Sequence, residues 1–184
     1  MSLRLVCRRK FWELLFGIDR DLAACARERG CVCGGVLHAA NFPRKPRGGP
    51  TDLGREQQMR FSLCCAVDGC RRRVTSESVR FLGRRVFFGA VVVLVAALRD
   101  GPTPRRLAVL RRLFGITRST LERWRRWWRE EFPEGKFWRA VRGRFVPALA
   151  ADDLPQALLD LFVRDAQHEP LVGLLRFLAP LGAG

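Results

Sequence analysis

The stretch Thr103–Trp128, TPRRLAVLRRLFGITRSTLERWRRWW, decides the reading of this chain. Thr103 followed by Pro104 is a helix start. The hydroxyl can accept from a free N–H of the first turn, and the fixed φ of Pro suits the first helical position. Leu107, Leu110, Leu113 and Phe114 recur at three- and four-residue steps and give this helix one apolar face. Gly115 breaks it, Ile116 is placed to plug the core, and Thr117 or Ser119 caps a second helix that runs to Glu131. Leu121, Trp124 and Trp128 share one face of the second helix and are read as core. The position four before Gly115, small in many such pairs, is Arg111.

This spacing is that of a helix pair whose second member lies in the major groove of DNA. Arg118, Ser119 and Arg123 then stand at base edges, where Arg pairs bidentately with guanine. Arg125, Arg126 and Arg129 are placed for phosphates further along, and Arg105 and Arg106 are further candidate DNA contacts. The plainer reading is a helical hairpin with a basic solvent face.

Upstream, the run Val86–Leu98 is apolar throughout, bracketed by Arg84, Arg85 and Arg99 and stopped by Asp100-Gly101-Pro102. A membrane span needs about 20 apolar residues. This run is shorter and predicts a buried helix. Residues 10–29 predict an amphipathic helix, with Phe11, Leu14, Leu15, Ile18, Leu22 and Ala26 at helical spacing and Gly30 as its end. Val36–Phe42, Met59–Cys64 and Val74–Phe81 alternate like short strands. Between them, Pro43-Arg44-Lys45-Pro46-Arg47-Gly48-Gly49-Pro50 is a stiff basic loop, which adds Arg44, Lys45 and Arg47 to the candidate DNA contacts. Downstream, Phe137–Phe145 predicts a short helix, and Pro147 opens an acidic section with helices near 154–164 and 170–179.

The cysteines fall at the turns of this ribbon. Cys31-x-Cys33-Gly-Gly and Cys65-x4-Cys70 are two close pairs, and structural zinc takes four soft ligands in a tetrahedron. The predicted site is Cys31, Cys33, Cys65 and Cys70 around one structural Zn2+. The usual knuckle has two residues between its thiols, and Cys31 and Cys33 have one. Cys25 or His38 therefore competes with Cys31, and Cys64 competes with Cys65; free thiols are the remaining alternative. Cys7 stands alone and reads as an ordinary thiol.

Composition narrows the functions. The 184 residues hold 34 Lys+Arg against 18 Asp+Glu, a net charge of +16, and only Lys10, Lys45 and Lys136 of the basic residues are Lys. The segments 1–30, 31–99, 100–145 and 146–184 carry +3, +8, +8 and −3. A positive field concentrated on 31–145 points to a polyanion, double-stranded DNA above all. With no Tyr, a tyrosine nucleophile is excluded; with two His, His38 and His168, so is a His-x-His or His-Glu-x-x-His metal site. Apolar residues make up 48% of the chain, enough for a packed core. The charged N-terminus lacks a following apolar region and cleavage site, so the chain is expected in the cytoplasm, at the nucleoid, with its cysteines reduced.

Cys31–His38, Asn41–Arg47, Phe61–Arg73, Ser78–Arg85 and Thr103–Trp128 together resemble the zinc-ribbon and helix-turn-helix regions at the front of bacterial insertion-sequence transposases, and a group of short transposase-like proteins, over about residues 25–145. The resemblance implies a ribbon that holds zinc and a helix pair that binds DNA, with Cys33, Cys65 and Cys70 at matching ligand places and Cys31 one residue off. Such transposases cut DNA with three carboxylates and two metal ions on an RNase H-like sheet. The 39 residues after 145 read as helices, and Asp152-Asp153 as a surface turn or cap. The resemblance therefore implies DNA binding without self-contained catalysis. The rivals are a transposase subunit whose carboxylates lie on another chain, and an RNA-binding or scaffold module.

The expected fold is α+β and mostly helical, divided into an N-terminal amphipathic helix (1–30), a zinc-ribbon-like part (31–82), a helix-turn-helix domain (83–145) and an acidic helical tail (146–184). The tail is the candidate for docking a protein partner or a second copy. No membrane association is expected.

Overall fold

The computed structural model describes residues 3–83, 85–97, 103–164 and 169–183. Arg84, Leu98, Arg99, the stop at 100–102 and His168 lie outside them. The fold is mixed α+β with two small antiparallel sheets. The chain divides into two compact units, Ala90–Leu174 and Ser2–Gly89 together with Leu175–Gly184. These limits differ from the four expected segments: the section read as a tail contributes to both units.

The discontinuous unit starts with helix α1 (Arg9–Glu28), which buries Phe11, Trp12, Leu15, Ile18, Ala23 and Ala26 on one face. Leu14, expected on that face, is half exposed. Trp12 takes the inner place instead, and its indole N–H donates to Val6 O at 2.9 Å. Gly30, at φ +71°, ends the helix as anticipated.

Strands β1 (Leu37–Ala39), β4 (Ser62–Cys65) and β5 (Arg73–Thr75) form a three-stranded sheet with β4 central; Leu37 faces Cys65, and Leu63 faces Val74. Strands β2 (Phe42–Pro43) and β3 (Met59–Arg60) make a second pair. The strand expected over Val74–Phe81 ends at Thr75. The reason is polar: Ser78 Oγ and the Val79 N–H both donate to the buried carboxylate of Asp19, at 2.6 and 2.7 Å, which draws the backbone off the ladder.

Asp19 also accepts from Arg80 Nε at 2.8 Å, an ion pair with both side chains fully buried. Arg80 donates further to the carbonyls of Gln57 and Met59. Arg60, 1% exposed, donates to the carbonyls of Ser76 and Gly182, so residues following Leu174 are stitched to the strands. The Ser78 N–H adds a bond to Ala179 O. Phe81 lies under the guanidinium groups of both Arg60 and Arg80. Burial pulls Arg60 down to about 10, with Asp19 opposing and Arg44 and Arg80 reinforcing the shift. Burial lowers Arg80 too, against the pull of Asp19.

Helix α2 (Gly89–Ala96) starts later than the apolar run predicts, because Val86 is exposed and Phe87 bridges to Arg47 instead. In the continuous unit, α3 (Pro104–Phe114) and α4 (Arg118–Arg126) are followed by a π-helical turn at Trp127–Glu131 and by α5 (Phe132–Glu134) and α6 (Lys136–Val141). Pro133 has no N–H to give to a helical hydrogen bond. The wider π turn carries the chain past it. Trp128, Phe132 and Trp138 pack as a buried aromatic cluster, the first two rings 4.7 Å apart and the last two 5.1 Å. Helices α7 (Gln156–Arg164) and α8 (Pro170–Leu178) bury Leu158, Leu159, Leu171, Val172 and Leu174. No helix among the described residues is long and apolar enough to cross a membrane.

Candidate functional site

Two tight turns bring four thiols together. In the first, Gly34 N–H donates to Cys31 O and Cys31 N–H to Gly35 O, with Gly34 at φ +81°. A side chain at Gly35 would meet the Cys65 sulfur at 2.8 Å and Val67 at 2.6 Å, so only glycine lets the two turns close on each other. In the second, Cys70 N–H donates to Val67 O, Val67 N–H points at Cys65 Sγ at 3.5 Å, and Gly69 takes φ +85°. Sheet pairing of β1 with β4 sets the turns side by side.

The result is that the sulfurs of Cys31, Cys33, Cys65 and Cys70 lie within 4.8 Å of one another. Cys31 and Cys70 are 3.8 Å apart and Cys33 and Cys65 3.5 Å. Among the described residues this is the one group of His, Cys, Asp or Glu close enough to hold a metal ion. Cys25 and His38, the competing ligands, are exposed and outside the group. Cys64 turns away toward the carbonyls of Cys65 and Arg71. Cys31 and Cys65 are buried, Cys70 is half-buried and Cys33 is exposed. These are four soft donors of the kind zinc, copper(I) and iron–sulfur clusters take.

The four thiols do not share one acidity. A hydrogen bond from the Gly35 backbone, helped by Cys70, Cys31 and Cys65, lowers Cys33 to about 7. At Cys65 the Val67 N–H favours the thiolate, but burial and the neighbouring thiols outweigh it and push the group up to about 12. At Cys70 the Arg72 N–H is likewise outweighed, chiefly by Cys33 and burial, and the thiol is raised.

The second candidate surface is the α3–α4 pair. Thr103 Oγ1 accepts from Arg106 N–H and Thr117 Oγ1 from Thr120 N–H, capping the two helices. Gly115 takes φ +66° between them, Ile116 is fully buried, and Leu121, Trp124 and Trp128 face inward. Leu113, expected on the apolar face of α3, is 44% exposed. Outward stand Arg105, Arg106, Arg118, Ser119, Arg123 and Arg126. The Ser119 hydroxyl is shared with Thr117 Oγ1 at 3.0 Å.

Arg125 is not on this face in the same way. It is half-buried and lines a cleft of about 220 Å3 with Arg129, Asp152, Asp153 and Gln156. Conversely, Arg111 and Arg112, absent from the expected contacts, line a shallow groove of about 510 Å3 with Arg118, over Pro104, Leu107 and Ala108. For Arg111 the sequence held a signal: an Arg where such helix pairs often carry a small residue.

In the other unit, Lys45 and Arg47 are exposed. Arg44 is half-buried, donates to Arg85 O at 2.9 Å and lies over Phe81. Its guanidinium is committed to the fold. The buried Asp19, Arg60 and Arg80 were not anticipated, since nothing local marks an arginine as buried.

Compared with known proteins, the chain matches no family model, no curated protein and no solved structure. The functional reading accordingly rests on the two surfaces themselves.

Proposed function

We propose that the chain is a non-catalytic double-stranded DNA-binding protein, with the α3–α4 pair as its reader and a single structural zinc ion on Cys31, Cys33, Cys65 and Cys70. The observation that carries the reading is the helix pair. A left-handed Gly115, a buried Ile116 and a capping Thr117 aim the first turn of α4 outward. That turn carries Arg118, Arg111 and Arg112 line a groove with it, and Arg123 and Arg126 are exposed further along α4. Side chains so placed reach base edges, and the flanking guanidinium groups reach phosphates.

Zinc is favoured among soft metals by fit. A tetrahedron with Zn–S bonds of about 2.3 Å has edges of about 3.8 Å. The two cross-turn sulfur pairs, at 3.5 and 3.8 Å, are of that size. Four protein thiolates leave no open coordination position, so the metal would clamp the turns and activate no water. Arg125, Arg44 and their buried neighbours are left out of the DNA contacts; Lys45 and Arg47 remain auxiliary candidates.

The test is duplex binding followed by fluorescence anisotropy from about 50 to 200 mM salt, over which six to ten phosphate contacts cost about 10³–10⁵ in affinity. A salt-independent affinity overturns the DNA reading. Metal content of the purified chain checks the zinc, with one ion per chain expected and Cys33→Ser or Cys70→Ser lowering it.

A further inference from the structure

The four sulfurs do more than surround a point. They pair across the two turns: Cys33 with Cys65, and Cys31 with Cys70, each pair joining one turn to the other. Access is unequal, because Cys33 is the exposed member while Cys31 and Cys65 are buried. Thiol–disulfide exchange needs an accessible attacking thiolate and a second thiol close by to resolve the mixed disulfide. Cys33 and Cys65 meet both needs at 3.5 Å; a disulfide asks the sulfurs to close by about 1.5 Å. Gly35, with no side chain to hold the two sulfurs apart, leaves that path open. Cys7 and Cys25, although exposed, belong to no such group.

We propose that the cluster is also a thiol–disulfide modification site, with Cys33 as attacking thiol and Cys65 as resolving thiol, and a low-molecular-weight disulfide such as glutathione disulfide as oxidant. Cys33 thiolate attacks one sulfur of the oxidant, forming a mixed disulfide and expelling one glutathione thiolate. Cys65 then attacks Cys33 Sγ, its proton leaving as the bond forms, and expels the second. The oxidant gains two electrons and becomes two thiols, whose protons come from the cysteine thiols in the metal-free chain and from solvent where zinc holds them as thiolates; the chain gains a Cys33–Cys65 bond. A second equivalent joins Cys31 to Cys70 in the same way. The inference rests on the four-thiol site: once Cys33 and Cys65 are bridged, two thiolates remain and a zinc ion loses half its ligands. The cross-turn bonds then hold the turns together in its place.

The experiment uses the full chain, reduced and zinc-loaded, treated with glutathione disulfide. Zinc release is followed with a colorimetric chelator, and bridged peptides are mapped by mass spectrometry. The expected result is Cys33–Cys65 as the first bridge, with one zinc released per chain as it forms. In Cys65→Ser, glutathione should stay on Cys33 as a stable adduct. A first bridge elsewhere, or thiols that stay reduced under excess oxidant, overturns the proposal. The two readings fail separately. A chain that binds no zinc but forms Cys33–Cys65 refutes the metal alone, and one that keeps its zinc and thiols refutes the exchange alone.

Discussion

The two units differ in whether arginine enters the core. In Ser2–Gly89 with Leu175–Gly184, Arg60 and Arg80 are buried and hold strand, loop and Gly182 carbonyls together around Asp19. In Ala90–Leu174 the core is aliphatic and aromatic, and Arg105, Arg106, Arg118, Arg123 and Arg126 stand in water. Among the described residues, buried arginine serves as internal framework in the first unit alone, while exposed arginine contributes to the external field in both. Net charge alone therefore overstates the electrostatic footprint of this chain. The guanidinium groups that matter to a polyanion are those with no carbonyls to hold.

The strongest way to break this contrast is to remove Asp19. Asp19→Ala leaves Arg80 buried without its partner and should cost about 3–5 kcal/mol, read as a fall in the urea midpoint. Arg118→Ala, on the exposed side of the contrast, should shift stability by no more than about 0.5 kcal/mol. Equal effects of the two would end the distinction. In the other unit the core is apolar, so Leu121→Ala should cost about 2–5 kcal/mol through the cavity it leaves, with no dependence on salt.

Next in size is the effect of Arg118→Ala on DNA. It should weaken binding by about 1–3 kcal/mol and relax sequence preference, measured on matched duplexes. Smaller again is Thr117→Ala, which loses the cap on α4 and should cost about 1 kcal/mol of stability.

The last contrast lies inside the thiol cluster and is read in the metal-free chain as a pH profile. Cys33 is lowered, so its contribution to stability is present above the usual thiol value of 9 and is lost as pH falls through about 7. Cys65 is raised, so its contribution is present below 9 and is lost as pH rises toward about 12. Iodoacetamide labelling, resolved by site, should reach half its maximal rate near pH 7 at Cys33 and lag well past pH 9 at Cys65. Matching profiles would remove the asymmetry.

What the sequence revealed, it revealed through local chemistry. Thr103, Pro104, Gly115 and Thr117 act within one turn of themselves, and the helix limits they predict are those found. The cysteine group also matched, since two short turns each bring their thiols close whatever lies between them. Cys31 met the others despite its short spacing because Gly34 and Gly35 tighten the turn.

Long-range polar contacts were not legible. Asp19 and Arg80 are 61 positions apart, and an amphipathic helix gives no sign that its one inward carboxylate has a partner. That pairing ended the strand at Thr75 and removed Phe81 from the ladder. The same holds for Arg44, which reads as a loop cation until Arg85 O and Phe81 are found beside it. The unit limits were hidden for the same reason: Gly182 meets Arg60 across 122 positions.

That last contact sets an order in time. During synthesis, Arg60 and Ser78 emerge long before Ala179 and Gly182, and their carbonyl partners do not yet exist. The intervening unit, Ala90–Leu174, is continuous and can close as it leaves the ribosome, while the unit begun first must wait to be finished last. The entropic cost of joining such distant ends grows only slowly with the length between them. The nascent chain thus carries an unfinished strand layer, and an Arg60 that still lacks its Gly182 partner, while the stretch of 122 positions between them is made, an interval of exposure to misassembly.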